Sequence, residues 1–112
     1  MPTQEQTVAF LADQLSRLDG LSIRKMFGEY GIWLDGKTVG LVCDDQLFIK
    51  PTPAGRELAK DAPDAPPYRG AKPSMLIDAE QWDDADWLCK LVRTTADALP
   101  APKPKKPKQP KA

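Results

Sequence analysis

Near the start of the chain, Val8, Leu11, Leu15 and Leu18 recur at helical spacing, with Glu5, Asp13 and Arg17 off that stripe. The spacing predicts a helix over residues 4–18 that lays one apolar stripe on a sheet. Thr3 and Gln6 have the spacing of a capping box, and Gly20 is placed to close the helix. Phe10 falls on the flank of the stripe, where a loop or a second copy of the chain could pack. From Leu21 the period changes to two. Residues 21–50 read as a β-meander in which Leu21, Ile23 and Phe27 alternate imperfectly with polar residues. After a break at Gly28–Gly31, Ile32-Trp33-Leu34 continues extended. Val39, Leu41 and Cys43 then alternate with Thr38, Gly40 and Val42, and Leu47-Phe48-Ile49-Lys50 forms the following strand, stopped by Pro51. Asp35-Gly36 predicts a two-residue type I′ turn, whose positive φ angles Asp and Gly tolerate, and Asp44-Asp45 makes the next turn.

Thr52 is a candidate cap for a short helix over 53–60, with Pro53 at its first position. Residues 61–73, rich in Pro, Asp and Gly, predict a loop with one short edge strand near Pro67-Tyr68-Arg69. Ser74–Asp78 is the last strand. Asp83 is placed to cap the final helix, and Asp84 and Asp86 in its first turn suit the helix dipole. Its apolar face is Leu88, Leu91, Val92, Thr95 and Leu99, with Trp87 beside it and Pro100 ending it. Residues 100–112 are almost wholly Pro, Lys, Ala and Gln, and should be disordered and extended. The expected fold is a two-layer α+β domain over residues 1–99, followed by a tail over 100–112. Its antiparallel sheet carries the helices on one face, in the order α-β-β-β-α-β-β-α.

Charge sharpens that division. The formal net charge is zero, but residues 1–99 hold 11 basic and 16 acidic side chains, and the tail holds five lysines and no acid. The tail lysines Lys103, Lys105, Lys106, Lys108 and Lys111 alternate with prolines, which suits sequence-independent contact with phosphates. A solubilising terminus and a tail folded back on the acidic body are the alternatives. No apolar run approaches a membrane span, and the polar, acidic start is not a secretory signal. A cytoplasmic protein with no membrane contact is therefore expected. Cys43 and Cys89 lie in apolar surroundings and read as buried reduced thiols; a disulfide is the alternative, because spacing alone does not decide geometry.

The chain has no histidine, which removes Ser-His and Cys-His nucleophile pairs and histidine metal sites. Two isolated cysteines cannot build a zinc cage, and Gly28-Glu29-Tyr30-Gly31 matches no phosphate-binding loop. Asp83, Asp84 and Asp86 fit no calcium loop and read as a helix start, and Asp44-Asp45 reads as a turn rather than a catalytic pair. No enzyme activity, cofactor or metal is expected. Phe27, Tyr30, Trp33 and Phe48 cluster on the meander, either as core under the helices or as a stacking platform for single-stranded nucleic acid, with Arg24, Lys25 and Lys50 nearby.

One stretch is more specific than the rest: Arg24-Lys25-Met26-Phe27-Gly28-Glu29-Tyr30-Gly31-Ile32-Trp33-Leu34-Asp35-Gly36-Lys37, followed by a hydrophobic strand, Asp44-Asp45 and Leu47-Phe48-Ile49-Lys50. This order of motifs resembles the amino-terminal domain of the TfoX/Sxy competence regulators. The resemblance runs from about Leu21 to the end of the last helix. It implies a two-layer fold of the type shared with secretion chaperones, and a regulatory adaptor that works by protein–protein contact in transcription regulation. Full regulators of this family resemble coactivators that work with the cyclic-AMP receptor protein, and carry a second domain where this chain has its Lys/Pro tail. A further departure is Met75, followed here by Leu76-Ile77-Asp78 where aromatic residues are usual. The motif residues Arg24, Lys25, Phe27, Gly28, Glu29, Tyr30, Gly31, Asp35 and Gly36 are the expected structural and partner-binding set. Gly28 and Gly31 are expected to permit a bulge, with Glu29 and Tyr30 pointing outward at the bend. The expected partner is a transcription-related protein, with a homodimer as a further option. A small nucleic-acid-associated protein using its tail is the alternative function.

Overall fold

The computed structural model describes residues 4–26 and 29–99. The expectations for Thr3, Phe27, Gly28 and the tail lie outside the described residues. The first helix, α1, covers Glu5–Gln14. Four strands follow: β1 Leu21–Met26, β2 Glu29–Leu34, β3 Lys37–Cys43 and β4 Gln46–Ile49. Then come α2 (Pro53–Leu58), β5 (Asp64–Ala65), β6 (Ser74–Ile77), a 3₁₀ turn over Ala79–Asp83, and α3 (Ala85–Ala98). The order has one more strand before α2 than expected. Met26 pairs directly with Glu29, so β1 and β2 are two full antiparallel strands rather than one bent strand.

The sheet is antiparallel throughout, in the order β1-β2-β3-β4-β6-β5. Directly paired residues share a face, and successive residues alternate between faces. Ile32, Val42, Leu47, Ile49, Met75 and Ile77 therefore face one side. There they form a core with Leu11 and Leu15 of the first helical segment and with Leu88, Leu91, Val92 and Ala96 of α3. This is the two-layer arrangement the hydrophobic periods predict.

Several local details differ from the sequence reading. The helix stops at Gln14, four residues early, though Leu15 stays buried and Leu18 packs on the core. Its N-cap, Gln4, makes no side-chain cap bond. The Asp45 carboxylate instead accepts from the Gln4 N–H at 2.9 Å and the Thr7 hydroxyl at 2.8 Å, which ties α1 to the β3–β4 turn. The edge strand is Asp64–Ala65, not Pro67–Arg69, since Pro67 has no N–H for a ladder. The cap of α3 is Asp84, which accepts from the Trp87 N–H at 3.0 Å, because Asp83 is the last residue of the 3₁₀ turn. That turn brings Trp82 into the core, with its indole N–H donating to the Ile77 carbonyl at 3.2 Å.

Candidate partner-binding face

The bulge is not at Gly31. That residue is buried inside β2, paired with Arg24 on one side and Leu41 on the other. The ladder shifts between Ile32, opposite Gly40, and Trp33, opposite Thr38, so the extra residue is Val39 of β3. Gly40, beside it, is the tight position. A Cβ there would come within 2.4 Å of the Phe48 carbonyl oxygen and 3.0 Å of Ile49 Cδ1.

The other motif residues fall in three places. Asp35 and Gly36 make the β2–β3 turn with φ of 54° and 81°. The Asp35 N–H donates to the Gly20 carbonyl at 3.1 Å, and its carboxylate pairs with Arg93 of α3 at 3.2 Å. Lys37 Nζ donates to the Ala96 carbonyl near the end of α3 at 2.8 Å, where the helix dipole favours a cation. This hairpin is thus a clamp on α3. Tyr30 is half-buried and packs against the core rather than pointing outward, because it has the parity of Ile32 and Leu34. Glu29 does not project from a bend: its carboxylate accepts from the Asp44 N–H at 3.0 Å.

Arg24 and Lys25 are exposed on β1. The Arg24 guanidinium carbon lies 4.7 Å from the centre of the Trp33 ring, a cation–π contact. Register places Arg24, Gly31, Leu41, Phe48 and Leu76 in one row across five strands, on the face opposite the core cluster. Trp33 has the parity of Gly31 and joins them. Gly31, without a side chain, separates Arg24 from Leu41 in the row. This open face therefore carries a cation at one end and apolar side chains across its middle. Trp33, Leu41 and Leu76 are half-buried, while Phe48 is only 3% exposed. The meander aromatics split accordingly: Tyr30 is core, and Trp33 and Phe48 lie on the open face. Phe48 is too enclosed to stack a base.

Asp44 and Asp45 adopt φ of 55° and 59° and form the expected turn. The Asp45 carboxyl is held below its ordinary range, first by the Gln4 N–H and then by the Thr7 hydroxyl. Cys43 and Cys89 are both buried and unbridged. Cys43 has the parity of the open face and Cys89 lies in the helix layer, so the sheet separates them. Burial pushes both thiols up, with Glu29 and Asp44 adding to the effect at Cys43. A surface cavity of about 440 Å³ lies between the end of α2 and the 3₁₀ turn. Its acids Glu57, Asp61, Asp78 and Glu80 are all exposed. Among the described residues, no three His, Cys, Asp or Glu side chains are grouped to hold a metal.

Comparison with known proteins agrees with the motif order. An uncharacterized 12.7 kDa protein in the trpE 5′ region of Spirochaeta aurantia is 41% identical over 108 residues, covering 96% of this chain and 93% of that protein. The model of the TfoX N-terminal domain matches residues 13–99. The chain belongs to the TfoX N-terminal domain family.

Proposed function

We propose that this chain is a non-enzymatic regulatory adaptor that acts through protein contacts in transcription regulation, in the manner the resemblance to competence regulators implies. The observation that carries this reading is the sheet face opposite the helices. Half-buried Trp33, Leu41 and Leu76 are presented there beside the exposed cation of Arg24, on a domain of the TfoX N-terminal family. Antiparallel sheets with helices on one side leave such a face available to a partner. The residue inventory supports a non-catalytic role: no histidine is present, and both thiols are raised by burial, away from the reactive thiolate. A cytoplasmic site of action goes with this reading. Among the described residues no helix is long and apolar enough to cross a membrane.

The test is transcript profiling of a deletion strain complemented with the wild-type chain or with Leu41→Gln. The expected result is a set of transcripts altered by deletion and restored by wild type but not by Leu41→Gln, with both proteins accumulating equally. A deletion that alters no transcript would overturn the reading.

A further inference from the structure

Strand order leaves the sheet two edges. The β5 edge is two residues long, flanked by Pro63 and by Pro66-Pro67, and prolines cannot extend a ladder. The β1 edge is six residues long and contains no proline or glycine. Alternate residues of β1 turn their N–H and C=O groups away from β2. Beyond the Leu21 N–H, which donates to Leu18, no described residue outside the β2 ladder pairs with the β1 backbone. The edge also carries charge. Arg24 and Lys25 are both exposed and, as neighbours on a strand, serve opposite faces of the sheet. Arg17, Arg56 and Arg93 each hold a carboxylate; among the described residues Arg24 and Lys25 hold none.

We propose that β1 takes up an acidic, extended segment of a partner protein as a seventh strand. The proposal rests on the adaptor reading and names the chemistry of its partner. Main-chain hydrogen bonds along β1 supply affinity, and the two cations select consecutive acidic residues, one for each face of the added strand. A second copy of this chain fits less well. Antiparallel self-pairing centred on Arg24 opposes two guanidinium groups, and centring on Ile23 sets Lys25 against Leu21, so neither register pairs the charges. Edge cations that served only to block association would predict no uptake at all.

The test is an NMR titration of the full ¹⁵N-labelled chain with the capped hexapeptide Thr-Val-Glu-Glu-Val-Thr at low salt. Shifts should concentrate in the amides of Leu21 to Lys25. Binding should be about tenfold weaker for Thr-Val-Lys-Lys-Val-Thr and should weaken as salt rises. N-methylation of alternate peptide amides, which leaves the protein untouched, should abolish it. The double variant Arg24→Glu/Lys25→Glu should instead prefer the lysine peptide. Equal binding of both peptides, shifts centred on another surface, or no binding at millimolar peptide would each overturn the proposal. So would a concentration-dependent dimer that Arg24→Glu dissolves. Failure here and failure of the adaptor reading are distinguishable, because the transcript test reads Leu41 on the face and not the edge.

Discussion

Gly40 shows how a single residue can be committed by its neighbours alone. It lies between Ile32 and Ile49 on the core face of β3, and a methyl group there would strike the backbone of β4. Gly40→Ala should destabilise the protein by about 1–3 kcal/mol through overpacking. An unchanged urea midpoint would contradict the close approach. Asp45 offers a second residue-scale expectation, with a definite sign. Its folded-state pKa is depressed by the Gln4 N–H and the Thr7 hydroxyl. The stabilisation is therefore fully present above the ordinary aspartate value of 3.8, and is lost as pH falls through the folded value. Asp45→Asn keeps a residue type that tolerates positive φ but removes the titration. Its stability should fall less steeply than wild type below about pH 4. Parallel acid limbs for the two proteins would show that Asp45 contributes nothing there. The Asp-Asp turn was legible from local chemistry, whereas the grip of Asp45 on the first helix at Thr7, 38 residues away in sequence, was not.

At the scale of elements, Trp82, to which the spacing assigned no role, is buried more deeply than Trp87. Trp87 lies beside the α3 stripe, is half-buried, and donates its indole N–H to the Leu58 carbonyl at 3.3 Å. Trp82 is 8% exposed and joins the main core. Trp82→Ala should cost about 3–5 kcal/mol, and Trp87→Ala less, since part of its ring stays in water. Denaturation curves with the opposite ranking would refute this placement. The 3₁₀ turn escaped the sequence reading because five residues are too few to show a period. The available signal was Asp78, which caps the turn by accepting from the Glu80 N–H at 2.9 Å. The longer elements were legible because each repeats its apolar side at its own period: α3 buries Leu88, Leu91, Val92 and Thr95, as the helical stripe predicts.

Across the whole molecule, both cysteines are buried and on opposite sides of the sheet. Their thiols should react with a disulfide reagent only slowly in the native state and fully once denaturant is added; rapid native labelling would show that the protein opens at that side. The segregated charge of the tail supports the alternative, nucleic-acid reading. Fluorescence anisotropy of a DNA duplex against the full chain, with and without Lys→Gln replacement of the five tail lysines, decides it. A tail anchor gives a log–log salt slope of up to about −4.5 that the replacement abolishes. Equal binding by both proteins, or none, removes the tail from that role. The sequence by itself determined the helix stripes, the hairpin turns, the helix–meander–helix order and the absence of histidine chemistry, because periodicity, turn residues and composition are local properties. Only the tertiary structure decided that Val39 and not Gly31 forms the bulge, that Tyr30 faces inward while Trp33 and Phe48 face the opposite side, and that β1 is the exposed edge. Each of these depends on strand register and strand order, which are settled by pairing between segments distant in the chain, and a one-residue difference in register reverses the face every side chain occupies.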